Sequence, residues 1–576
     1  PNGFNMLREM NETESKTDNF SITSRFNLDY SFFKQLKFSG LASYSFTNNK
    51  SDNYKGKDTY AAFVDRLYFD TQGNSSRTYS SISQSNTNNS SYSLRGQLSY
   101  SDVYREIHRF SVLAGAEIRG EKAEGIFEKR YGYDPVTGNS AMPVPKDPGN
   151  GEGFKYSDLV SYANAMDQLS GQEIEENRFA SFYGALDYSL FDRYVLNVSF
   201  RTDGSNNFGS DEQFNPTWSA GAVWHVSEET FMEVVRPVLS RLSLRVATGY
   251  TGNINKTVKP NLMMKYYKNF RISDDENYRM GYINNAPNPK LRWEKTRDVK
   301  VALDFGLWKD RINGIVEAYW RKSKDCVTSE YVPVTTGFFN QSYNTSVLQN
   351  NGVEFSLSVA VLKSKDYNLS VSANVAWNQN KLKKYNSPNT SLALDKYVGY
   401  PMGAVFSGKY EGIDPETGMY KFKLRPDAVT NKDGYLREPN NYYYYLGTSV
   451  APFTGGFNLN FSYKNIGLSV GGSYSVKAKM VDNIESPAGY ELLSGSKLES
   501  IPTPHNDLYR NHLNVKREVR NRWTPENRTG VKYPRLIDAY GKKLGLDLTN
   551  PTLTTITRGA LLEDISYLRI NTIALS

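Results

Sequence analysis

The chain has a single cysteine, Cys326, in 576 residues, which excludes a disulfide framework and a cysteine metal cluster. Four histidines, His108, His225, His505 and His512, leave little material for a histidine-rich metal or acid-base site. No apolar run reaches the roughly 18 residues that a transmembrane helix needs. The opening stretch PNGFNMLREMNETESKTDN lacks the basic, apolar and small-residue order of a signal peptide and reads as a start within a longer protein. Apolar residues are scarce as well. Trading the 42 Tyr for the 43 Gly leaves the 39% hydrophobic share unchanged, below the ~45–50% of typical globular chains. Charge of one sign is also thin: 69 basic against 61 acidic side chains give +8, scattered with no basic stripe of the kind nucleic-acid binders carry.

What is abundant is aromatic surface. The 29 Phe, 42 Tyr and 7 Trp are too many for a disordered chain, so the rings are expected to be buried or immersed in something other than water. Their arrangement has period two. Phe20, Ile22, Phe26, Leu28, Tyr30 and Phe32 alternate with Ser21, Thr23, Arg25, Asn27, Asp29 and Ser31. Successive strand side chains face opposite sides, so this is a ribbon with one apolar and one hydrophilic face. The pattern resumes with Leu36, Phe38, Ala42, Tyr44 and Phe46, which predicts a hairpin.

Six further hairpins are predicted, at 92–100 with 108–118, 179–190 with 194–202, 217–226 with 241–250, 298–307 with 312–321, 352–361 with 367–378, and 456–463 with 466–475. A last strand at 564–575 makes 15 strands. Each run is near the ~9–11 residues that a tilted strand uses to cross a bilayer. Turns within most hairpins are short, such as FDR at 191–193, WKDR at 308–311, KSKD at 363–366 and KN at 464–465. Connections between hairpins are mostly long and polar, at 48–91, 119–178, 251–297, 379–455 and 476–563. Short turns at one end and long loops at the other are the pattern of an outer-membrane barrel, and a compact soluble domain tolerates few structureless loops of that length. Trp218, Ala220, Ala222, Trp224 and Val226 are expected to face lipid. Arg241, Ser243, Arg245, Asp304, Glu317 and Asn374 are expected to face a wet lumen. Tyr188, Tyr194, Trp308, Trp320, Tyr367, Trp377 and Tyr463 fall near strand ends, where amphipathic rings sit at headgroup level.

Several motifs then carry a resemblance. FRTDGSNNFG (200–209), WSAGAVWHVSEE (218–229), LSLRVATGYTGN (242–253), NPKLRWE (288–294), LDFGLWKDR (303–311), YEGIDPETG (410–418), NRWTPENRTGVKYPRL (521–536) and EDISYLRINTIALS (563–576) occur in this order. Each is short, but together over 200–576 the chain resembles the barrel of the SusC/RagA-type TonB-dependent outer-membrane transporters. The first 200 residues match in pattern more than in motif. The resemblance implies an all-β transmembrane antiparallel barrel of 22 strands with an N-terminal plug and a TonB-binding segment. It also implies import of oligosaccharides or peptides with a SusD-like lipoprotein as lid, TonB as energy source, membrane lipid around the wall, no nucleic-acid partner and no enzymatic step. Residues 1–576 would then be a partial barrel with long extracellular loops, with five or six strands, the plug and the TonB-binding segment expected before Pro1 and two strands after Ser576. A passive porin or adhesin barrel is the alternative reading of the same alternation, and a glycan-degrading β-rich enzyme would need a carboxylate pair that no setting here marks out.

Other candidates are fewer. GLSVG at 467–471 spells a nucleophile elbow, yet it follows a two-residue turn inside an alternating strand and reads as strand. YDPVTG (133–138) and IDPETG (413–418) place Asp, Pro and Gly at turn positions. Asp414 and Glu416 offer oxygens to a structural calcium without EF-hand spacing, and no other cofactor is implied. Glu173, Glu175, Glu176, Asp274, Asp275 and Glu276 are expected in external loops, where a divalent-ion or partner contact is the minority reading beside plain solvation. Tyr442, Tyr443, Tyr444 and Tyr445 are the substrate-binding candidates, as flat rings for sugar faces, with packing within the loop or beneath the lid as the competing readings. His505 and His512 have no ligand-spaced partner.

Overall fold

The computed structural model describes residues 5–71, 80–141, 143–145, 169–255, 258–266, 270–273, 276–278, 281–338, 340–385, 398–416, 418, 420–428, 441–481, 520–534 and 558–576. Fifteen strands follow one another in a single antiparallel sheet, each hydrogen-bonded to the next in chain order. They are β1 Thr13–Ser31, β2 Leu36–Lys55, β3 Ser81–Tyr104, β4 His108–Tyr131, β5 Ser170–Leu190, β6 Tyr194–Ser205, β7 Phe214–His225, β8 Leu239–Asn253, β9 Glu294–Leu307, β10 Ile312–Tyr331, β11 Asn340–Lys363, β12 Tyr367–Lys384, β13 Phe453–Tyr463, β14 Ile466–Val476 and β15 Tyr567–Leu575. The chain divides into two compact units, one of residues 1–222, 248–297 and 325–345, the other of residues 223–247, 298–324 and 346–576.

In the first unit the register turns the alternation into rows across five strands. Tyr30, Phe38, Leu98, Ala114 and Gly184 stand side by side, as do Leu28, Gly40, Gly96, Ala116 and Phe182, and Phe26, Ala42, Leu94, Ile118 and Ala180. These rings and branched chains are exposed: Phe26 by 66%, Leu94 by 54%, Phe182 by 56%. An apolar face left open on so many adjacent strands in water is a liability; on a wall in lipid it is the stabilising surface. The opposite face pairs Asp29, Ser39 and Gln97, then Arg95, Glu117, Ser181 and Asp203.

On β3 the apolar face ends at Tyr92, the partner of Tyr44, while β1 and β2 carry it on to Phe20, Ile22 and Phe46. Beyond them the same side of the ladder carries Asn48 opposite Asn88, then Lys50 opposite Asn86, yet pairing continues to Lys55 and Ser81. Here the structure departs from the expectation of bilayer-length strands. The first five strands are 19 to 24 residues long, so 48–55, 81–91, 119–131 and 170–178 are strand and not loop. From Tyr92 to Ser81 the ladder of β3 runs on for about 37 Å at ~3.4 Å per residue. Above the band only scattered residues such as Ile126 and Ile174 are apolar, so the alternation that announces the strands in lipid fades.

The second unit repeats the pattern. Val353, Trp377, Phe453 and Val476 form one row, and Leu357, Ala373, Phe457, Gly472 and Ile570 another. Their opposite face carries Ser356, Asn374, Gly456, Ser473 and Arg569. Of the polar positions set against these rows, Arg245 Nε meets Asp304 Oδ2 at 2.6 Å, Glu317 meets Lys300 at 3.2 Å, and Arg241 donates to Asn313 at 2.8 Å. Val226 is a small correction: β7 ends at His225, and Val226 opens a 3₁₀ turn.

The connections at the long end build short strand pairs of their own, including Ala404–Gly408 with Tyr443–Thr448 and Tyr410–Ile413 with Tyr420–Phe422. No helix among the described residues is long and apolar enough to cross a membrane.

Candidate functional site

Two of the motifs come together at the long-connection end of the first unit. In SNNF of 205–208, Asn207 is 2% exposed and donates from Nδ2 to Asn177 Oδ1 at 2.7 Å, while its Oδ1 accepts from Lys259 Nζ at 2.9 Å. Phe208 stacks on Trp293 of NPKLRWE with ring centroids 4.6 Å apart. Leu291 O accepts the Gly209 N–H at 3.0 Å, and a Cβ on Gly209 would meet Pro289 O at 1.8 Å, so only glycine fits that approach. Asn344 closes the junction. Its Nδ2 donates to Arg292 O at 2.7 Å and Asp325 O at 2.8 Å, and its Oδ1 accepts from Arg292 N at 3.0 Å. The Arg292 guanidinium meets Asp325 at 2.8 Å. Short motifs scattered over 140 residues of sequence are thus one joint that fixes where three connections leave the wall.

Beside this joint lies a charged cleft of about 980 Å³, lined in part by Glu121, Glu173, Glu175 and Lys259. Glu173, Glu175 and Glu176 belong to β5 and not to a loop. Glu175 pairs with Lys259 at 3.2 Å, and Glu176 with Arg178 at 2.7 Å. Of the other acidic group, Asp274 and Asp275 lie outside the described residues, and Glu276 starts the strand Glu276–Tyr278.

In the second unit, a cleft of about 540 Å³ opens where β11 and β12 run out. Asn350, Trp377, Asn378, Gln379, Asn380 and Lys381 line it from the strands, and Tyr400, Met402 and Tyr445 from the connection. Asn380 donates to Asn350 Oδ1 at 2.6 Å and accepts the Met402 N–H at 2.7 Å. Asn378 Oδ1 accepts the Tyr319 hydroxyl at 3.1 Å. Among the described residues the Nδ2 groups of Asn350 and Asn378 have no partner, which leaves donors for a ligand. Tyr400 and Tyr445 sit with centroids 4.9 Å apart, and Phe406 closes the group at 5.0 Å from Tyr400 and 5.7 Å from Tyr445. Tyr400 remains 38% and Tyr445 41% exposed. Burial pushes the Tyr445 phenol above its ordinary value, with Tyr400 adding to the shift, so it stays a neutral donor.

The four candidate tyrosines do not act as one platform. Tyr445 lines the cleft. Tyr444 donates its hydroxyl to Leu424 O at 2.9 Å, and Tyr443 O receives Arg425 at 3.5 Å. Tyr442 is half-buried and lines no part of the cleft. Arg425 is itself held by Asp427 at 2.7 Å, and this hydrogen-bonded pair lowers the Asp427 carboxyl below its usual range. Sequence reading missed Asn350, Asn378, Asn380 and Tyr400 because they stand alone between strand and loop; the one available signal was asparagine replacing serine at 374, 378 and 380 as β12 nears its end.

The remaining candidates resolve as follows. Residues 467–471 lie within β14, a strand without the elbow. In both DP turns the Asp side chain accepts the N–H two residues on, Val136 and Glu416, each at 2.9 Å, and the closing glycines have φ 71. Asp414 therefore shapes a turn. Among the described residues no group of three or more His, Cys, Asp or Glu could hold a metal. His505 and His512 lie outside the described residues.

With this geometry in view, comparison with known proteins is direct. Residues 8–493 match the model described as TonB dependent receptor-like, beta-barrel. TonB-dependent receptor P26 of Formosa agariphila is 25% identical over 595 residues, covering 98% of this chain and 53% of that protein. TonB-dependent receptor SusC of Bacteroides thetaiotaomicron is 31% identical over 296 residues, covering 50% of this chain and 26% of SusC. Among solved structures the RagAB peptide transporter superposes with a TM-score of 0.73 at 21% identity, covering 98% of this chain and 56% of that one. The chain spans about half the length of the relative and the structure that it matches end to end. SusC and RagA barrels are outer-membrane proteins, in keeping with the apolar rows above. The chain belongs to the TonB-dependent receptor-like β-barrel family.

Proposed function

We propose that this chain supplies the wall and mouth of a TonB-energised importer of the bacterial outer membrane that takes up oligosaccharides together with a SusD-like lipoprotein lid. The plug and the TonB-binding segment belong, in this reading, to sequence outside residues 1–576, and the lid docks on the long connections. The single observation that carries the substrate class is the cleft of the second unit. Tyr400 and Tyr445 offer partly exposed ring faces beside amide groups with spare donors. Sugars present apolar faces to rings and hydroxyls to amides, so both halves of the lining have a counterpart. Peptide is the second reading. RagAB is titled a peptide transporter, and the cleft lined by Glu121, Glu173, Glu175 and Lys259 offers charges that a peptide would use.

The test uses the full-length transporter purified with its lid lipoprotein. Titration calorimetry with neutral oligosaccharides and with mixed peptides is expected to give heats for the sugars alone. Tyr445→Ala is expected to lower sugar affinity by about tenfold, the scale of an aromatic contact at 1.4 kcal/mol. Peptide binding without sugar binding would overturn the substrate reading. Uptake undiminished in a TonB deletion would overturn the energised one and favour a passive porin.

A further inference from the structure

Ten residues other than glycine have positive φ among the described residues, and eight of them sit in four short turns, at 105–106, 191–192, 308–310 and 464. A side chain with a Cβ is strained in this region, where Gly and Asn are the ordinary residues of tight turns. These turns instead hold Arg105 and Glu106, Phe191 and Asp192, Trp308, Lys309 and Asp310, and Lys464. Strain kept where a relaxed alternative is one codon-choice away points to a use for the side chains.

What those side chains do is repeated in each unit. Arg105 lies 5.1 Å over the ring of Tyr104, itself 55% exposed. Lys464 lies 5.4 Å over the ring of Tyr463, which stacks on Tyr367 at 5.1 Å. Trp308 is 51% exposed, and the exposed Lys309 follows it. Arg105, Lys309 and Lys464 have no carboxylate partner among the described residues. Neighbouring turns are also tied together: Phe191 N donates to Ile107 O at 2.9 Å, Trp308 N to Val238 O at 2.7 Å, and Lys464 N to Asp366 O at 2.9 Å. The result is one unpaired cation beside a ring in the first unit, Arg105 with Tyr104, and two in the second, Lys309 after Trp308 and Lys464 over Tyr463, each at the short-turn edge of its unit's apolar band.

We propose that in each unit these turns bind the phosphate groups of anionic phospholipids in the leaflet at the short-turn end, with Arg105 in the first unit and Lys309 and Lys464 in the second as phosphate contacts and Tyr104, Trp308 and Tyr463 as interfacial anchors. Unpaired cations match phosphate in charge, and rings with a polar edge match the depth at which headgroups meet acyl chains. The left-handed backbone sets Arg105 and Lys464 back over their rings, where an Asn-Gly turn would present no cation.

The experiment compares three forms of the full-length protein extracted from membranes in mild detergent. One is unmodified. One carries relaxed turns, Arg105→Asn with Glu106→Gly and Lys464→Gly. One carries Arg105→Gln and Lys464→Gln, which removes charge and keeps the turn backbone. Each is equilibrated with mixed micelles of phosphatidylglycerol or phosphatidylcholine, and retained lipid is counted by native mass spectrometry. Both variants are expected to lose phosphatidylglycerol about fivefold per cation removed, from roughly 1 kcal/mol per cation at an anionic surface. The relaxed-turn form alone is expected to melt higher in detergent. Phosphatidylglycerol retained at the unmodified level by either variant, or phosphatidylcholine retained equally well by the unmodified protein, overturns the proposal. A lower melting point for the relaxed-turn form overturns its premise of strain.

Discussion

Replacing Asn344 with alanine removes three hydrogen bonds at once, to Arg292 O, Asp325 O and Arg292 N, at 2.7, 2.8 and 3.0 Å. Asn344 is half-buried, so water reaches the site only in part and each bond is worth its net ~1 kcal/mol and not its full desolvation value. The sum is about 3 kcal/mol, which is roughly a hundredfold in a local opening equilibrium. Because the bonds join the 288–294 segment to β10 and β11, the loss falls on the joint and leaves the apolar rows alone. Hydrogen exchange read by mass spectrometry is the matching assay, since exchange from a junction reports its own opening free energy. The Arg292 amide, which donates to Asn344, is expected to lose about two orders of magnitude of protection, while amides in the Leu94 and Ile118 rows keep theirs. Asn344→Asp retains the acceptor but sets a carboxylate oxygen against the two carbonyls, and its protection is expected to fall at least as far. A change of less than about threefold at Arg292, under 0.7 kcal/mol, would refute the account of Asn344 as the tie of this junction.

Three further outcomes are expected. Leu94 and Asn88 share one face of β3 on either side of the boundary at Tyr92; Leu94→Arg should cost about 2–4 kcal/mol in refolding titrations into lipid vesicles, and Asn88→Arg about 0–1, and equal costs would move the boundary. Phe208→Ala removes a ring 4% exposed and stacked on Trp293 and should destabilise the joint by about 3–5 kcal/mol, seen as faster proteolysis of the connection 254–293; an unchanged digestion rate would show that the stack is not what holds it. Because burial raises the Tyr445 phenol above its ordinary 10.0, its neutral form persists past the pH at which a free tyrosine ionises. Oligosaccharide affinity should therefore stay level from neutral pH to that value and fall only above it, and a decline beginning below it would place Tyr445 in a different environment.

How much of this was legible in the sequence depends on where lipid stops. Phe26, Leu28 and Tyr30 alternate with polar partners because one face of β1 has to be apolar, and that constraint made all fifteen strands readable to within a few residues at the short-turn ends. At the far ends β3 and β4 run on through Ser83, Gln84, Lys122 and Glu124, where both faces meet water and nothing in the side chains records that the backbone is still paired. The acidic run at 173–176 was accordingly read as loop. The site suffered in the same way. Tyr445 stood out as one of four adjacent rings, but its neighbours in space, Tyr400 and Asn350, are 45 and 95 residues away, and no local pattern links them. The motifs of 205–209 and 288–294 were visible as a resemblance; that they touch is a fact of tertiary packing.

The extension of the first unit's strands past the band separates two tasks that a wall protein has to perform. Main-chain ladders hold from Tyr92 out to Ser81 whatever side chains they carry, so the connections depart from a stiff support well clear of the lipid. Changes in those connections need not disturb the rows that specify insertion, and the rows can stay constant while the connections diversify. A chain built in this manner can acquire a new specificity at its mouth without relearning how to assemble.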